Sequence, residues 1–124
     1  MITIFHNVHC GTSRNVLATI RAAGETPEVI EYAKVGWTRP QLEGLFEAAG
    51  VTPRQALRGK SDLAEELGLY ADGVSPDRVL DAMALHPILV ERPFVVTPKG
   101  TALCRPADKV LALLDRPPAA VVKG

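Results

Sequence analysis

ITIFHNVHCGTSRN, residues 2–15, decides the fold because it runs from a predicted strand through a cysteine into a predicted helix. Its first residues, 2–5, are apolar or β-branched and predict a buried strand. The range Ser13–Ala23 carries apolar residues at helical spacing and ends before Gly24, which predicts a helix. A second strand is predicted over Glu28–Tyr32. The N-terminal part therefore indicates a βαβ unit with a parallel pair of strands.

The middle of the chain has the pattern of several helices. One helix is predicted to begin after the capping residue Thr38 and to end at Gly50. Short helical pieces are predicted between residues 52 and 69. A further helix begins at Ser75 and ends before Pro87.

The C-terminal part returns to strands. Phe94–Thr97 predicts a strand, and Thr101–Cys104 predicts its antiparallel partner across a turn. A last helix is predicted to open at Pro106 and to run through Leu114. The order βαβ, helices, ββα predicts an α/β, thioredoxin-like fold with a mixed four-stranded sheet and a central helical insertion over about residues 38–87.

Length and composition set the remaining limits. A chain of 124 residues that is 47% hydrophobic has the size and apolar content for one core. We therefore expect one domain over residues 1–116 and a frayed tail over 117–124. The formal net charge of zero offers no bulk attraction to nucleic acid or an anionic membrane. The start of the sequence has no signal-peptide pattern, so a cytoplasmic location is expected.

Cys10 is the first candidate for chemistry. It lies between a strand and the start of a helix, where unpaired backbone N–H groups and the helix dipole stabilise a thiolate. The following residues give a C-x-x-S pattern, in which Ser13 cannot resolve a mixed disulfide as a second cysteine would. An external thiol, or Cys104, must then do so. A small cysteine that merely packs is the structural alternative.

A metal site is the less favoured interpretation of the same loop. His6, His9 and Cys10 are residue types that bind zinc, but a structural zinc site normally has four ligands. Cys104 and His86 are the obvious additions, and their spacing does not indicate a cluster. We therefore predict no metal.

Three arginines are candidates for binding an anion. Arg92 precedes Pro93 just before a strand, where thioredoxin-like folds carry a cis-proline beside the active cysteine. Arg105 follows the last strand, and Arg58 lies in the helical insertion. Together they would offer paired donors to a tetrahedral oxyanion and lower the pKa of a nearby thiol. From spacing alone, each could equally be an ordinary surface arginine.

These motifs together resemble the glutaredoxin-dependent arsenate reductases, an ArsC-like family. The loop from His6 to Asn15 resembles the active loop of that family. The family commonly has proline after the loop asparagine, where this chain has Val8, and the loop is expected to be looser for it. The other matching motifs keep their order, and the resemblance extends from Ile2 to about Leu114. They are Ala56-Leu57-Arg58, His86-Pro87-Ile88-Leu89, Arg92-Pro93 with Val95-Val96-Thr97-Pro98, and Leu103-Cys104-Arg105-Pro106.

The resemblance implies a role for each site residue. Cys10 would be the nucleophile that bonds to arsenic, and His6 would help to keep its thiol ionised. The oxyanion would be held by three arginines, Arg58, Arg92 and Arg105. Further substrate-binding positions would be Gly11, Thr12, Ser13, Arg14 and Pro93. Ser13 could also donate a hydrogen bond to the thiolate, and Cys104 would be a bystander.

The implied reaction reduces arsenate to arsenite and supports arsenic resistance. Cys10 attacks arsenate and displaces water, glutathione adds, and glutaredoxin attacks the glutathione so that arsenite leaves. Glutathione is then a cosubstrate and no cofactor is bound. The expected partners are arsenate, glutathione and glutaredoxin, with neither nucleic acid nor membrane, and the expected state is a monomer.

Three other interpretations remain open at this point. A glutathione-dependent thiol reductase or transferase of another substrate would share Cys10 without needing all three arginines. A redox-sensing regulator of the same fold that binds RNA polymerase would usually carry C-x-x-C, and here Ser13 takes the second position. A purely structural family member would not need Cys10 or the arginines.

Overall fold

A computed structural model describes residues 1–117 of the chain. The chain divides into two compact units. The first combines Met1–Tyr32 with the chain from Arg92 onward, and the second is Ala33–Glu91. Within residues 1–117, every helix is too short or too polar to be a membrane span.

The first unit contains a mixed four-stranded sheet, as predicted for a thioredoxin-like fold. Its strands are β1 (Thr3–His6), β2 (Glu28–Glu31), β3 (Phe94–Thr97) and β4 (Gly100–Leu103). They lie in the order β2-β1-β3-β4. The β1–β2 pair is parallel, and the β1–β3 and β3–β4 pairs are antiparallel. The parallel pair aligns His6 with Glu31, so both strands end at the same edge of the sheet.

Helix α1 (Gly11–Ala22) connects β1 to β2 and forms much of the core of this unit. It begins two residues before the predicted start at Ser13, because Cys10 has an extended backbone and serves as the N-cap. Val16 and Ile20 are fully buried, and each such side chain contributes roughly 1.5–3 kcal/mol to folding. The core around them includes residues from the sheet and the C-terminal segment: Ile2, Ile4, Val95, Cys104, Val110 and Leu113.

The last predicted helix is a 3₁₀ helix, Ala107–Leu113, rather than an α-helix from Pro106. Its buried residues Ala107, Val110 and Leu113 recur every third position. Side chains three apart align on one face of a 3₁₀ helix, which has three residues per turn. This spacing is compatible with the 3₁₀ geometry. The strand before it is also displaced by one residue, since β4 is Gly100–Leu103 rather than Thr101–Cys104.

One further boundary differs from the prediction. Strand β2 ends at Glu31, because Tyr32 begins the short helix α2 (Tyr32–Val35). The predicted tail over 117–124 lies, apart from Pro117, outside the described residues.

The second unit is helical, as expected for the insertion. It contains α3 (Arg39–Ala49), α4 (Asp62–Glu66), α5 (Pro76–Leu85) and a 3₁₀ helix over Pro87–Leu89. Thr38 caps α3 in a capping box with Gln41, an arrangement in which the cap alone stabilises a helix by about 1 kcal/mol. Gly50 ends α3 in the left-handed conformation (φ 68°), which glycine adopts without steric cost.

Candidate active site

The loop that carries Cys10 is held by Asn7, which is buried just after β1. The Asn7 carbonyl accepts a hydrogen bond from the backbone N–H of Cys10 at 3.1 Å. Its side-chain Oδ1 accepts from the backbone N–H of His9 at 2.9 Å. Its own N–H donates to Oγ of Ser13 at 3.1 Å. One buried residue therefore fixes both ends of the turn around the cysteine.

His6 contacts Ser13 and not the sulfur. Its Nδ1 lies 2.6 Å from Oγ of Ser13, and both side chains are buried. Burial is the main reason that the pKa of His6 is below its ordinary value; Arg21 and Arg14 lower it further, and Glu31 opposes them. The lowered pKa favours the neutral form of His6. Its contribution to keeping the thiol ionised remains a prediction, and it would act through Ser13.

The Ser13 hydroxyl has two polar neighbours, and the hydrogen bond expected from it to the thiolate stays a prediction. The hydroxyl oxygen is engaged by His6 and by the Asn7 N–H, which fixes the start of α1 to the end of β1. The backbone N–H of Ser13 is the group directed at the sulfur. The first turn of a helix leaves such N–H groups without intrahelical partners, so they are available to an anion.

Two of the predicted arginines lie beside the Cys10 sulfur. Nη1 of Arg105 is 3.6 Å from the Cys10 sulfur and 3.1 Å from the Arg92 carbonyl oxygen. The Arg92 guanidinium also lies at the sulfur. Burial raises the pKa of the half-buried Cys10 thiol, but the Ser13 N–H and the two guanidinium groups outweigh it, and the resulting pKa is below the ordinary value. The site therefore favours a thiolate.

Arg92 has hydrogen-bonding capacity that the protein does not use. Its side chain is buried, and its Nε and Nη1 have no hydrogen-bond partner among residues 1–117. Buried charged donors are normally paired, since an unpaired one costs several kcal/mol. Donors of this kind beside a thiolate suit an anionic ligand with several oxygens. The Arg92–Pro93 bond is cis, as the thioredoxin-like pattern predicted.

The other predicted substrate-binding residues have mixed positions. Gly11 and Thr12 form the first turn of α1, next to Cys10. Nη1 of Arg14 donates a hydrogen bond to the Val8 carbonyl at 2.9 Å. This contact holds the cysteine loop at Val8, the position at which proline was expected from the resemblance. Pro93 is buried, and its carbonyl accepts a hydrogen bond from the Cys104 N–H at 2.9 Å.

Arg58 belongs to the second unit. Its backbone N–H donates to the Leu89 carbonyl at 2.8 Å, and its carbonyl accepts a hydrogen bond from the Tyr70 hydroxyl. The structure thus brings together Cys10, Arg92 and Arg105, and the role of Arg58 in the site stays a prediction.

Cys104 differs from Cys10 in its burial and in the pKa of its thiol. It is fully buried in the core, and burial raises the pKa of its thiol to about 12. Both cysteines are free thiols. Within the described part of the chain, no three His, Cys, Asp or Glu side chains are grouped so that they could hold a metal ion.

Two residues of the site were missed from the sequence. Asn7 and Tyr32 each come directly after a strand of the parallel pair β1–β2, and both are buried. The carboxyl ends of neighbouring parallel strands meet at one edge of a sheet, where sites often lie. Asn7 was recognisable as a polar residue shortly after the first predicted strand, whereas Tyr32 was included in the second predicted strand and carried no such signal.

Comparison with known proteins gives a consistent result. The profile of the ArsC family matches residues 5–113. An arsenate reductase of Synechocystis sp. is 59% identical over 118 residues, which cover 95% of this chain and 84% of the relative. An arsenate reductase of Escherichia coli is 49% identical over 113 residues, covering 91% and 80% of the two chains. The structure of an arsenate reductase from Vibrio cholerae superposes with a TM-score of 0.86 at 36% identity, over 91% of this chain and 97% of that one.

Proposed function

This chain belongs to the ArsC family, and from that membership we propose that it reduces arsenate to arsenite, with Cys10 as the nucleophile and with glutathione and glutaredoxin as reductants. The observation that carries the proposal is the environment of the Cys10 sulfur. A thiol with a lowered pKa lies 3.6 Å from one guanidinium and beside a second, buried one that has unused donors. The same groups that stabilise the thiolate can receive a tetrahedral oxyanion.

The first step is attack of the Cys10 thiolate on arsenic(V). A sulfur–arsenic bond forms, and one arsenic hydroxyl takes up a proton and leaves as water. An ordinary thiol is only a few per cent ionised at neutral pH, so a lower pKa increases the reactive fraction. Arg92 and Arg105 act on the arsenate oxygens, where they offset the repulsion between two anions. We assign Arg58 to the same anion from its place in the family motif.

The next steps need thiols from outside the chain. Glutathione displaces a second arsenic hydroxyl, which leaves as water and gives a Cys10–arsenic–glutathione species. A glutaredoxin thiolate then attacks the glutathione sulfur. A glutaredoxin–glutathione disulfide forms, and the bond between the glutathione sulfur and arsenic breaks. Its electron pair remains on arsenic, which becomes arsenic(III). Water releases arsenite and restores the Cys10 thiol.

The surroundings of Ser13 and Cys104 support a role for external reductants. Ser13 stands where a C-x-x-C motif would have its resolving cysteine, and its hydroxyl is occupied by His6 and Asn7. Cys104 has a fully buried sulfur whose pKa is raised to about 12, so it supplies almost no thiolate at neutral pH. An internal disulfide relay would need one of these positions to be reactive.

The proposal includes the conditions that the reductants impose. Glutathione and glutaredoxin keep thiols reduced in the cytoplasm, where we place the protein. We also propose that the protein acts as a monomer. It would need no resident cofactor, because the electrons come from the two external thiols. Gly11, Thr12, Ser13, Arg14 and Pro93 would line the anion, with Ser13 contributing its backbone.

The direct test is a coupled assay of NADPH oxidation with arsenate, glutathione, glutathione reductase and glutaredoxin. We expect arsenate-dependent NADPH oxidation that disappears when either glutathione or glutaredoxin is omitted. Activity that needs only one of the two would contradict the reductant scheme. No arsenate-dependent oxidation in the complete mixture would contradict the proposed substrate.

A further inference from the structure

We infer that Tyr32 is a positioning residue of this site, whose buried hydroxyl joins the side chain of Arg92 to the loop that carries Cys10. Its effect on catalysis rests on the proposed function, but its effect on the Cys10 thiol does not. No motif in the sequence indicates this role. It follows from the topology of the sheet and from the contacts of one phenol oxygen.

The topology places Tyr32 at the cysteine loop. Strands β1 and β2 are parallel, with His6 aligned to Glu31. Asn7 and Tyr32 are the next residues on the two strands, so they leave the sheet side by side. The Tyr32 side chain is only 1% exposed, which directs its hydroxyl into the protein.

The contacts of the Tyr32 hydroxyl connect Arg92 to the loop that carries Cys10. The Tyr32 oxygen receives hydrogen bonds from the Asn7 side chain and from the Arg92 guanidinium. The backbone carbonyl of Asn7 accepts a hydrogen bond from the Cys10 N–H at 3.1 Å, and the Arg92 guanidinium lies beside the Cys10 sulfur. The nucleophile and the cation that stabilises it are therefore fixed to each other through one neutral oxygen.

A phenol is chemically suited to this position. A carboxylate in its place would pair with Arg92 and neutralise the charge that favours the thiolate. Burial raises the pKa of Tyr32 despite the opposing effect of Arg92, so the hydroxyl stays uncharged at the pH of catalysis. It therefore orients the guanidinium while leaving the positive charge, and the free Nε and Nη1 donors of Arg92, for the anion.

Tyr32→Phe tests the inference, because it removes the hydroxyl and keeps the ring that fills the core. We expect the Cys10 pKa, measured from thiolate absorbance near 240 nm, to rise toward that of free cysteine. We expect kcat/KM for arsenate to fall roughly tenfold, mostly through KM, which is the size expected for losing one hydrogen bond to a charged group.

Thr19→Val is the matched control. It also removes a buried hydroxyl, which donates to the Asn15 carbonyl at 2.8 Å within α1 and lies outside the site. We expect this variant to lose stability without a change in the Cys10 pKa or in KM. Tyr32→Phe would refute the inference if it behaved like Thr19→Val.

A double-mutant cycle tests whether Tyr32 acts through Arg92. In an Arg92→Ala background, Tyr32→Phe should add little further change to the Cys10 pKa or to KM, since the group it orients is gone. Full additivity of the two substitutions would overturn the inference. If the wild-type protein does not turn over arsenate, the proposed function fails, and the thiolate titrations still decide the role of Tyr32.

Discussion

Cys10 and Cys104 lie in the same unit of the chain, and their surroundings make one thiol reactive and the other inert. Cys10 is the N-cap of α1 and is partly exposed, whereas Cys104 follows β4 and is fully buried. The pKa of the first thiol is lowered and that of the second is raised to about 12. Arg105 adjoins Cys104 in sequence, yet its guanidinium lies 3.6 Å from the sulfur of Cys10.

The comparison shows which physical effect decides reactivity. Burial raises the pKa of both thiols and is the largest single influence on each. Cys10 has a helix N–H and two guanidinium groups directed at its sulfur, and together these overcome burial. At Cys104, only the charge of Lys109 lowers the pKa, and it does not overcome the effect of burial. The difference between the two thiols is therefore one of donors and positive charge rather than of burial alone.

The sharpest test of the comparison replaces each cysteine by serine. Cys10→Ser should reduce arsenate turnover by at least roughly a thousandfold, because it removes the nucleophile. Cys104→Ser should retain most of the activity and lose some stability, since it places a hydroxyl in an apolar core. Steady-state assays and thermal melts measure the two effects. Equal loss of activity in both variants would replace the glutathione scheme by an internal disulfide relay.

The arginines should have the next largest effect. Arg92→Ala should lower kcat/KM for arsenate by roughly 10- to 100-fold, because a donor pair to the oxyanion is lost. It should also raise the pKa of the Cys10 thiol, which one of the supporting cations no longer stabilises. Arg58→Ala should weaken oxyanion binding as well. Arsenate kinetics and thiolate absorbance are the two measurements.

Arg78→Ala provides the control for these arginine variants. Arg78 is exposed in the second unit and donates to the Leu67 carbonyl at 2.7 Å. Its removal should leave arsenate kinetics and the Cys10 pKa unchanged. If turnover in Arg92→Ala and Arg58→Ala also stays unchanged, the assigned anion pocket is wrong.

The two thiols should also give stability opposite dependences on pH. The Cys10 pKa is lowered on folding, so its contribution is complete above the unfolded pKa near 8.5 and is lost as pH falls through the folded value. The Cys104 pKa is raised to about 12, so its contribution is complete below about 8.5 and is lost as pH rises toward 12.

Denaturant unfolding at several pH values measures this smaller effect. From pH 9 to 10.5, the free energy of unfolding of wild type relative to Cys104→Ser should fall, by at most about 1.4 kcal/mol per pH unit. As pH rises from the folded Cys10 pKa to about 8.5, the free energy of unfolding of wild type relative to Cys10→Ser should increase. Differences of the same sign for both cysteines would show that their environments do not differ as described.

Local patterns were sufficient to predict most of the fold. The β-branched run before Cys10 and the helical spacing of Val16 and Ile20 predicted β1 and α1, because strand and helix periodicity are local properties. The Thr38 cap predicted the start of α3 for the same reason. The 3₁₀ geometry of Ala107–Leu113 was missed, because over so short a segment a spacing of three residues also fits an α-helix.

The site was less predictable than the fold. The position of Cys10 before a helix and the cis bond at Arg92–Pro93 followed from the fold pattern. The partner of the Ser13 hydroxyl did not, because that hydrogen bond depends on where β1 ends relative to α1 in space. Tyr32 was treated as the last residue of a strand, and nothing local indicates that its hydroxyl meets Asn7 and Arg92.

One titration tests the central claim most directly. In a Cys104→Ser background, Cys10 is the only remaining cysteine, so thiolate absorbance near 240 nm or the pH dependence of iodoacetamide labelling reports on it alone. The account predicts an inflection clearly below the ordinary cysteine value of about 8.5 and a return toward it in Arg92→Ala. An inflection at the ordinary value, unchanged by Arg92→Ala, would contradict it.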